Sequence, residues 1–196
     1  MFTLDKIYHA AYVLKDVVRK TDLIYAPAIN PHCKVYLKTE NLQVTGSFKV
    51  RGAYFKIAEL SETEKKKGVI ACSAGNHAQG VALAAKKNGI PSLICIPDEA
   101  PISKVEATKR FGAEVCLVNG VYDDAYNKAV NLQKERGSTF IHPFDDPDVI
   151  AGQGTIGLEI IEQLPDEMCI RDRCCRVSVL VWTGCYSQSG HQTGRA

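Results

Sequence analysis

Apolar positions first recur with helical spacing. Leu4, Ile7, Ala10, Ala11, Leu14, Val17 and Val18 share one face of a helix predicted over about 4–19. A Pro-containing loop at 25–31 follows. Residues 34–38 then alternate, with Val35 and Leu37 on one side, and predict a strand. Tyr54, Phe55, Ile57, Ala58 and Leu60 return to helical spacing, with Ser47 as the predicted N-cap. Ser61 and Glu64 make a capping box for a short helix that closes on Lys65, Lys66, Lys67 and Gly68. From there the pattern is regular. Apolar runs at 69–72, 92–96, 114–118 and 139–141 alternate with helical stretches at about 76–88, 102–111, 123–136 and 147–163. Buried strands alternating with helices predict an α/β fold whose parallel sheet is covered on both faces.

Composition narrows the picture only slightly. The 196 residues suit one domain, or one and a fraction, and 45% hydrophobic content is ordinary for a chain with a real core. A formal charge of +2 without a basic tract gives no sign of nucleic-acid binding. No apolar stretch approaches the roughly 18 residues of a membrane helix. Asp5 and Lys6 interrupt any early apolar run, so no signal peptide is expected and the cytoplasm is the expected compartment. Of eight cysteines, Cys72, Cys95 and Cys116 lie in strand-like runs and are read as small buried hydrophobes. Cys33 stands apart from them. Cys169, Cys174, Cys175 and Cys185 crowd the last 30 residues. A zinc site from these and His191 would lack any Cys-x-x-Cys pair, so no metal is expected.

The chemistry centres on two stretches. In Thr45-Gly46-Ser47-Phe48-Lys49-Val50-Arg51-Gly52-Ala53, Lys49 and Arg51 fall in the first turn of a predicted helix. The free N–H groups there make cations unwelcome. An anion bound nearby is one reading, and a lysine kept neutral to attack a carbonyl is another. Two solvated cations is the plain alternative. In the second stretch, the run at 69–72 leads into Ser73-Ala74-Gly75-Asn76-His77-Ala78-Gln79-Gly80 and then an apolar helix. A strand, a tight small-residue turn and a helix N-terminus form an anion site of carboxylate or phosphate size.

Taken together, Ser47-Phe48-Lys49-x-Arg51-Gly52-Ala53 and Ser73 to Gly80 closely resemble the threonine dehydratases (threonine ammonia-lyases). These are pyridoxal-phosphate enzymes of the tryptophan-synthase-β-like fold type. The resemblance runs from about residue 4 to Asp166 and includes Asp145-Asp146-Pro147 and Gly152-Gln153-Gly154-Thr155-Ile156-Gly157-Leu158-Glu159. It implies a three-layer α/β architecture with an open parallel sheet. Residues 66–145 would form the small domain, and 1–65 and 146–166 would be parts of an incomplete large one. It implies that Lys49 forms a Schiff base with pyridoxal 5'-phosphate and removes the substrate's α-proton. Phe48 would lie against the cofactor ring and Asn76 would bond its ring hydroxyl. Ser73, Ala74, Gly75, Asn76 and His77 would form the turn that holds the substrate carboxylate, with His77 structural rather than the catalytic base. The reaction implied is β-elimination of L-threonine, and of L-serine, to a 2-oxo acid and ammonia. A small-molecule substrate, a homo-oligomer and a place in amino-acid metabolism, isoleucine biosynthesis included, come with the resemblance.

Three features refine that reading. Serine racemases of the same scaffold carry a serine before the Gly-Asn pair as an acid-base group on the second face. Ala74 cannot supply one, which favours elimination. Gly152-x-Gly154-x-x-Gly157 matches a dinucleotide fingerprint by letters, yet Phe144 to Pro147 precede it where a strand should end. These glycines are instead expected to let a helix pack closely. Finally, no run of glycines follows Asp166 to cradle a phosphate. Glu167 to Arg173 resembles translated sequencing-adapter sequence, so 167–196 is expected to be an unrelated tail making few contacts, after a truncation. A non-catalytic α/β fragment is therefore the competing expectation.

Overall fold

The computed structural model describes residues 3–30, 32, 34–165 and 180–184. In chain order its elements are α1 (Leu4–Leu14), β1 (Leu23–Tyr25), β2 (Lys34–Lys38), α2 (Lys49–Ala58), α3 (Glu62–Lys67), β3 (Val69–Cys72) and α4 (Asn76–Lys87). They continue as β4 (Ser92–Pro97), α5 (Ile102–Arg110), β5 (Glu114–Val118), α6 (Tyr122–Arg136), β6 (Thr139–Phe140), α7 (Pro147–Gln163) and β7 (Leu180–Gly184).

The regular part folds as the pattern predicts. Strands β5-β4-β3-β6 form one parallel sheet in that order. Alternation sends Val69 and Ala71 to one face and Ile70 and Cys72 to the other. The first face joins Ile94, Ile96 and Ile141 in a core with Ala53 and Ile57 of α2 and the alanine-rich side of α4. The second packs Leu93 and Cys95 against Ala125 and Ala129 of α6. Cys72, Cys95 and Cys116 are unbridged. Burial raises the thiol pKa of Cys72 to about 11 and of Cys95 to about 12. They behave as the small hydrophobes expected.

Four local expectations change. α1 stops at Leu14 rather than near residue 19, and the Arg19 main chain is engaged elsewhere: its N–H donates to Gln43 Oε1 at 3.0 Å and its carbonyl accepts from Arg51 Nη2 at 3.3 Å. Leu23–Tyr25, too short to show periodicity, pairs antiparallel with β2, and a 3-10 turn covers Pro27–Ile29. Ser47 does not cap α2 in the expected way. Phe48 precedes the helix, and the Ser47 hydroxyl instead accepts from Lys49 N at 3.3 Å. Within 167–196, Leu180–Gly184 pairs antiparallel with β2 from Lys34↔Gly184 to Lys38↔Leu180, so this stretch is not contact-free. The tail cysteines, His191 and the adapter-like stretch lie outside the described residues.

A buried ion cluster joins the N-terminal segment to α7. Arg51, fully buried, is held bidentately by Glu40 (Nε–Oε2 2.8 Å, Nη2–Oε1 2.8 Å) and by Glu159 (Nη1–Oε1 2.6 Å, Nη2–Oε2 3.0 Å). Lys38 Nζ reaches Glu159 Oε2 at 2.6 Å, and the Thr21 hydroxyl donates to Glu40 Oε1. Burial alone would lower the pKa of Arg51, but the bonds to the two carboxylates outweigh it and hold the pKa above its usual value. Beside this cluster α2 and α7 cross backbone to backbone. A Cβ on Gly152 would lie 2.6 Å from Gly52 Cα and 2.7 Å from Arg51 O. Close helix packing is thus the role of Gly152, and no nucleotide motif is formed.

Removing one carboxylate from this cluster leaves a buried cation short of a partner. Glu40→Gln is expected to destabilise the fold by about 3–5 kcal/mol. Glu106→Gln, which breaks the exposed Glu106–Lys109 pair, should cost under about 1 kcal/mol. Urea unfolding of both variants checks this, and equal midpoints would refute it.

Candidate active site

The parallel sheet sets where a ligand can sit. β4 and β6 flank β3 on opposite sides, so the connections leaving β3 and β6 diverge at the carboxyl ends of neighbouring strands. Such switch points open a crevice in α/β sheets. Ser73 to Gly75 leave β3 there, and residues 141–146 leave β6.

Both predicted stretches are anchored to the second of these connections. Lys49, half-buried at the start of α2, donates from Nζ to Pro143 O at 2.7 Å. His77, in the first turn of α4, bonds Ile141 O through Nε2 at 2.9 Å. The carbonyl is an acceptor, so Nε2 carries a proton, and the lowered pKa leaves the imidazole neutral near pH 7. Burial lowers the His77 pKa to about 4, against the bond to Ile141 O, and the Lys49 and His142 charges push the same way. Its Nδ1 lone pair has no hydrogen-bond partner among the described residues.

Around these two, the turn from β3 is tightly built. Ser73 N–H donates to Cys95 O, and the Ser73 hydroxyl accepts from Gly75 N at 3.2 Å. Ala74 packs against the core of α4. A Cβ on Gly75 would meet nothing within 4 Å, so the space beside the turn is open. Asn76 is the first residue of α4, whose first-turn N–H groups have no acceptor within the helix itself. Phe48 packs against Ile156 and Ile160 of α7, while its ring centroid lies 5.3 Å from Lys49 Nζ. The structure thus gathers Lys49 and His77 on the 141–143 segment, leaves Phe48 packed against α7 beside Lys49, and puts Ser73, Ala74, Gly75 and Asn76 in one turn. A cavity of about 580 Å³ lies elsewhere, between α1 and α7, and none of these residues lines it.

The Pyridoxal-phosphate dependent enzyme family model matches residues 14–175. The chain belongs to that family. It is 56% identical over 168 residues to an L-threonine ammonia-lyase of Thermotoga maritima, covering 85% of this chain and 42% of that protein. It is 47% identical over 165 residues to the catabolic L-threonine dehydratase TdcB of Escherichia coli K12, covering 83% and 50%. Among solved structures, maize serine racemase superposes with a TM-score of 0.79 at 38% identity, covering 83% of this chain and 50% of that one. The processed threonine deaminase isoform 2 of Solanum lycopersicum gives 0.77 at 39%, covering 84% and 50%. The chain spans about half the length of the curated relatives it matches.

The residues of this pyridoxal-phosphate family member suit the family's cofactor. An aldehyde needs a partly desolvated primary amine, and Lys49 offers one beside an aromatic face. A planar ring needs open space near polar donors, and the Gly75 turn provides it.

Sequence reading singled out the two motifs but not their meeting place. The role of Pro143 as an acceptor is carried by a backbone carbonyl, which no side-chain pattern reveals. Gly80 was also missed as a contact, although a glycine inside a helix costs about 1 kcal/mol against alanine and so signals close packing.

The neutral His77 gives a pH test. The unfolded side chain titrates near 6.5 and the folded one near 4, so the unfolded state binds the proton more readily. Its contribution is complete above about pH 6.5 and is lost as pH falls toward 4. Between pH 7 and 4 the wild type should lose roughly 3 kcal/mol more than His77→Gln. Parallel unfolding curves for the two across that window would contradict the assignment.

Proposed function

We propose that this chain is the lysine-bearing half of a threonine ammonia-lyase that converts L-threonine, and L-serine, to a 2-oxo acid and ammonia by β-elimination. The observation that carries the reading is Lys49: its amine, in the first turn of α2, is held at the switch point close to the N-terminus of α4. The names and 47–56% identities of the curated relatives support the substrate. Residues 66–145 act as the small domain, and 1–65 with 146–166 as parts of the large one. The reading places the enzyme in the cytoplasm as a homo-oligomer working on free amino acids, without nucleic acid. Among the described residues no helix is long and apolar enough to cross a membrane.

Each residue has a separate task. Lys49 would hold the cofactor through its amine, and Nζ would move the α-proton of the substrate. Only an amine does both, so arginine cannot replace it. Asn76, at the start of α4, and Phe48, packed on α7, would help hold the cofactor. Ser73 and the N–H groups of 75–77 receive the substrate carboxylate at the helix N-terminus. His77 holds the β6 connection against α4 and stays neutral. When bound, pyridoxal phosphate supplies the electron sink for the α-carbanion. The enamine released then hydrolyses to the 2-oxo acid and ammonia.

Racemisation is the second reading, because serine racemases superpose well on the chain. Ala74 argues against it, since it offers no proton on the second face of the carbanion.

Joined to the C-terminal half of the Thermotoga relative, the chain should deaminate L-threonine, and Lys49→Ala should lower turnover at least about a hundredfold. A coupled 2-oxo acid assay checks this; undiminished turnover removes Lys49 from the mechanism. In the same chimera, Ala74→Ser should raise D-serine formation from L-serine, measured by chiral chromatography. Efficient D-serine formation with Ala74 intact would overturn the preference for elimination.

A further inference from the structure

We infer that Gly80 is a positioning residue for Lys49: it sets the distance between the lysine-bearing turn of α2 and the N-terminus of α4. The inference rests on the reading of Lys49 as the cofactor lysine.

The three atoms nearest to a Cβ built on Gly80 are Lys49 C, Lys49 O and Val50 N, each at 3.1 Å. These atoms belong to one peptide unit, the one that leaves Lys49. α4 therefore lies directly against the backbone of the lysine. Gly80 is four residues after Asn76, so the two share a helix face and stand one turn, about 6 Å, apart along the axis. The face that opens on Asn76 thus rests on Lys49 one turn further in. A residue with a side chain at 80 would hold that face away from α2.

The lysine turn has little room to retreat. Val50 and Arg51 are fully buried. On the α7 side, Gly152 already lies against Arg51 C and O and Gly52 Cα, where a Cβ would come within 2.6–2.9 Å. Arg51 is also fixed by two bidentate carboxylates. α2 is thus gripped by glycine contacts from α4 and from α7. A methyl at Gly80 must displace the 49–50 peptide or α4 by a few tenths of an ångström, and either shift moves the amine relative to the α4 turn. Helix propensity favours alanine at such a position, so close approach is what glycine supplies there. Gly75, with open space beside it, has a different task on the same motif.

The test uses this chain without added segments. The purified protein is treated with pyridoxal phosphate and borohydride. The lysine amine condenses with the aldehyde with loss of water, and borohydride delivers hydride to the C=N carbon, leaving a stable secondary amine. Peptide mass spectrometry gives labelling at Lys49 relative to exposed Lys104 in the same sample. Wild type should favour Lys49. Gly80→Ala should lower the Lys49:Lys104 ratio roughly tenfold, in line with the steep dependence of such reactions on placement. Gly154→Ala, whose methyl would have the Ile7 side chain as its nearest neighbour, should leave the ratio unchanged. A role in packing alone would lower the melting temperature without moving the ratio. An unchanged ratio in folded Gly80→Ala overturns the inference while leaving Lys49 in place. No preference for Lys49 in the wild type overturns the underlying reading instead. If circular dichroism shows Gly80→Ala unfolded, labelling is repeated in trimethylamine N-oxide, which favours compact states. A variant that stays unfolded there shows a folding requirement and rejects the positioning role.

Discussion

The structure depends on the burial of Arg51 between Glu40 and Glu159. Moving these charges out of water costs several kcal/mol each, and only the fork-on-fork geometry on both sides of the guanidinium offsets it. Because Arg51 lies in α2 and its partners come from the 3-10 turn at Glu40–Leu42 and from α7, the cluster orients α2 before any ligand is considered. It also resolves the paired cations of the first turn. Arg51 is neutralised by the protein's own carboxylates, whereas Lys49, two residues earlier, turns to the Pro143 carbonyl at the switch point. Neighbouring cations in one turn thus do opposite work: one fixes the helix, and the other projects from it.

Glycines complete that arrangement. Gly52 and Gly152 let α2 and α7 touch through their backbones, and Gly80 does the same between α4 and the peptide after Lys49. The result is a short helix clamped on two sides with the Lys49 amine at its N-terminal end. The β3–α4 turn stays open on the side of Gly75 and supplies helix N–H groups to the same crevice. His77, kept neutral by burial, ties α4 to the end of β6. Relatives of this family that carry out elimination and racemisation share the scaffold.

Much of this was legible in the chain itself, and the exceptions have physical causes. The parallel unit was readable because buried strands are continuous apolar runs between helices with clear ends. Just before this unit, Ser61 with Glu64 marks the start of α3, and that capping box forms. The end of α1 was not readable, because the apolar helical spacing continues through Val17 and Val18 beyond the last helical residue, Leu14. β1 is three residues long and owes its existence to pairing with β2. Arg51's partners lie 11 and 108 residues away, so its structural role could not be separated from an anion-binding one. The site residues were found as two motifs. Their meeting at Pro143 and Ile141 depends on the order of strands, which no local pattern encodes.

The central claim is that Lys49 is the amine that receives pyridoxal phosphate. It is tested most directly by titrating the purified chain with the cofactor and following visible absorbance, beside Lys49→Arg, which keeps the charge but cannot form the imine. The account predicts a saturable, lysine-dependent band in the wild type that is absent from Lys49→Arg. The same band in both proteins, or none in the wild type at saturating cofactor, would contradict it.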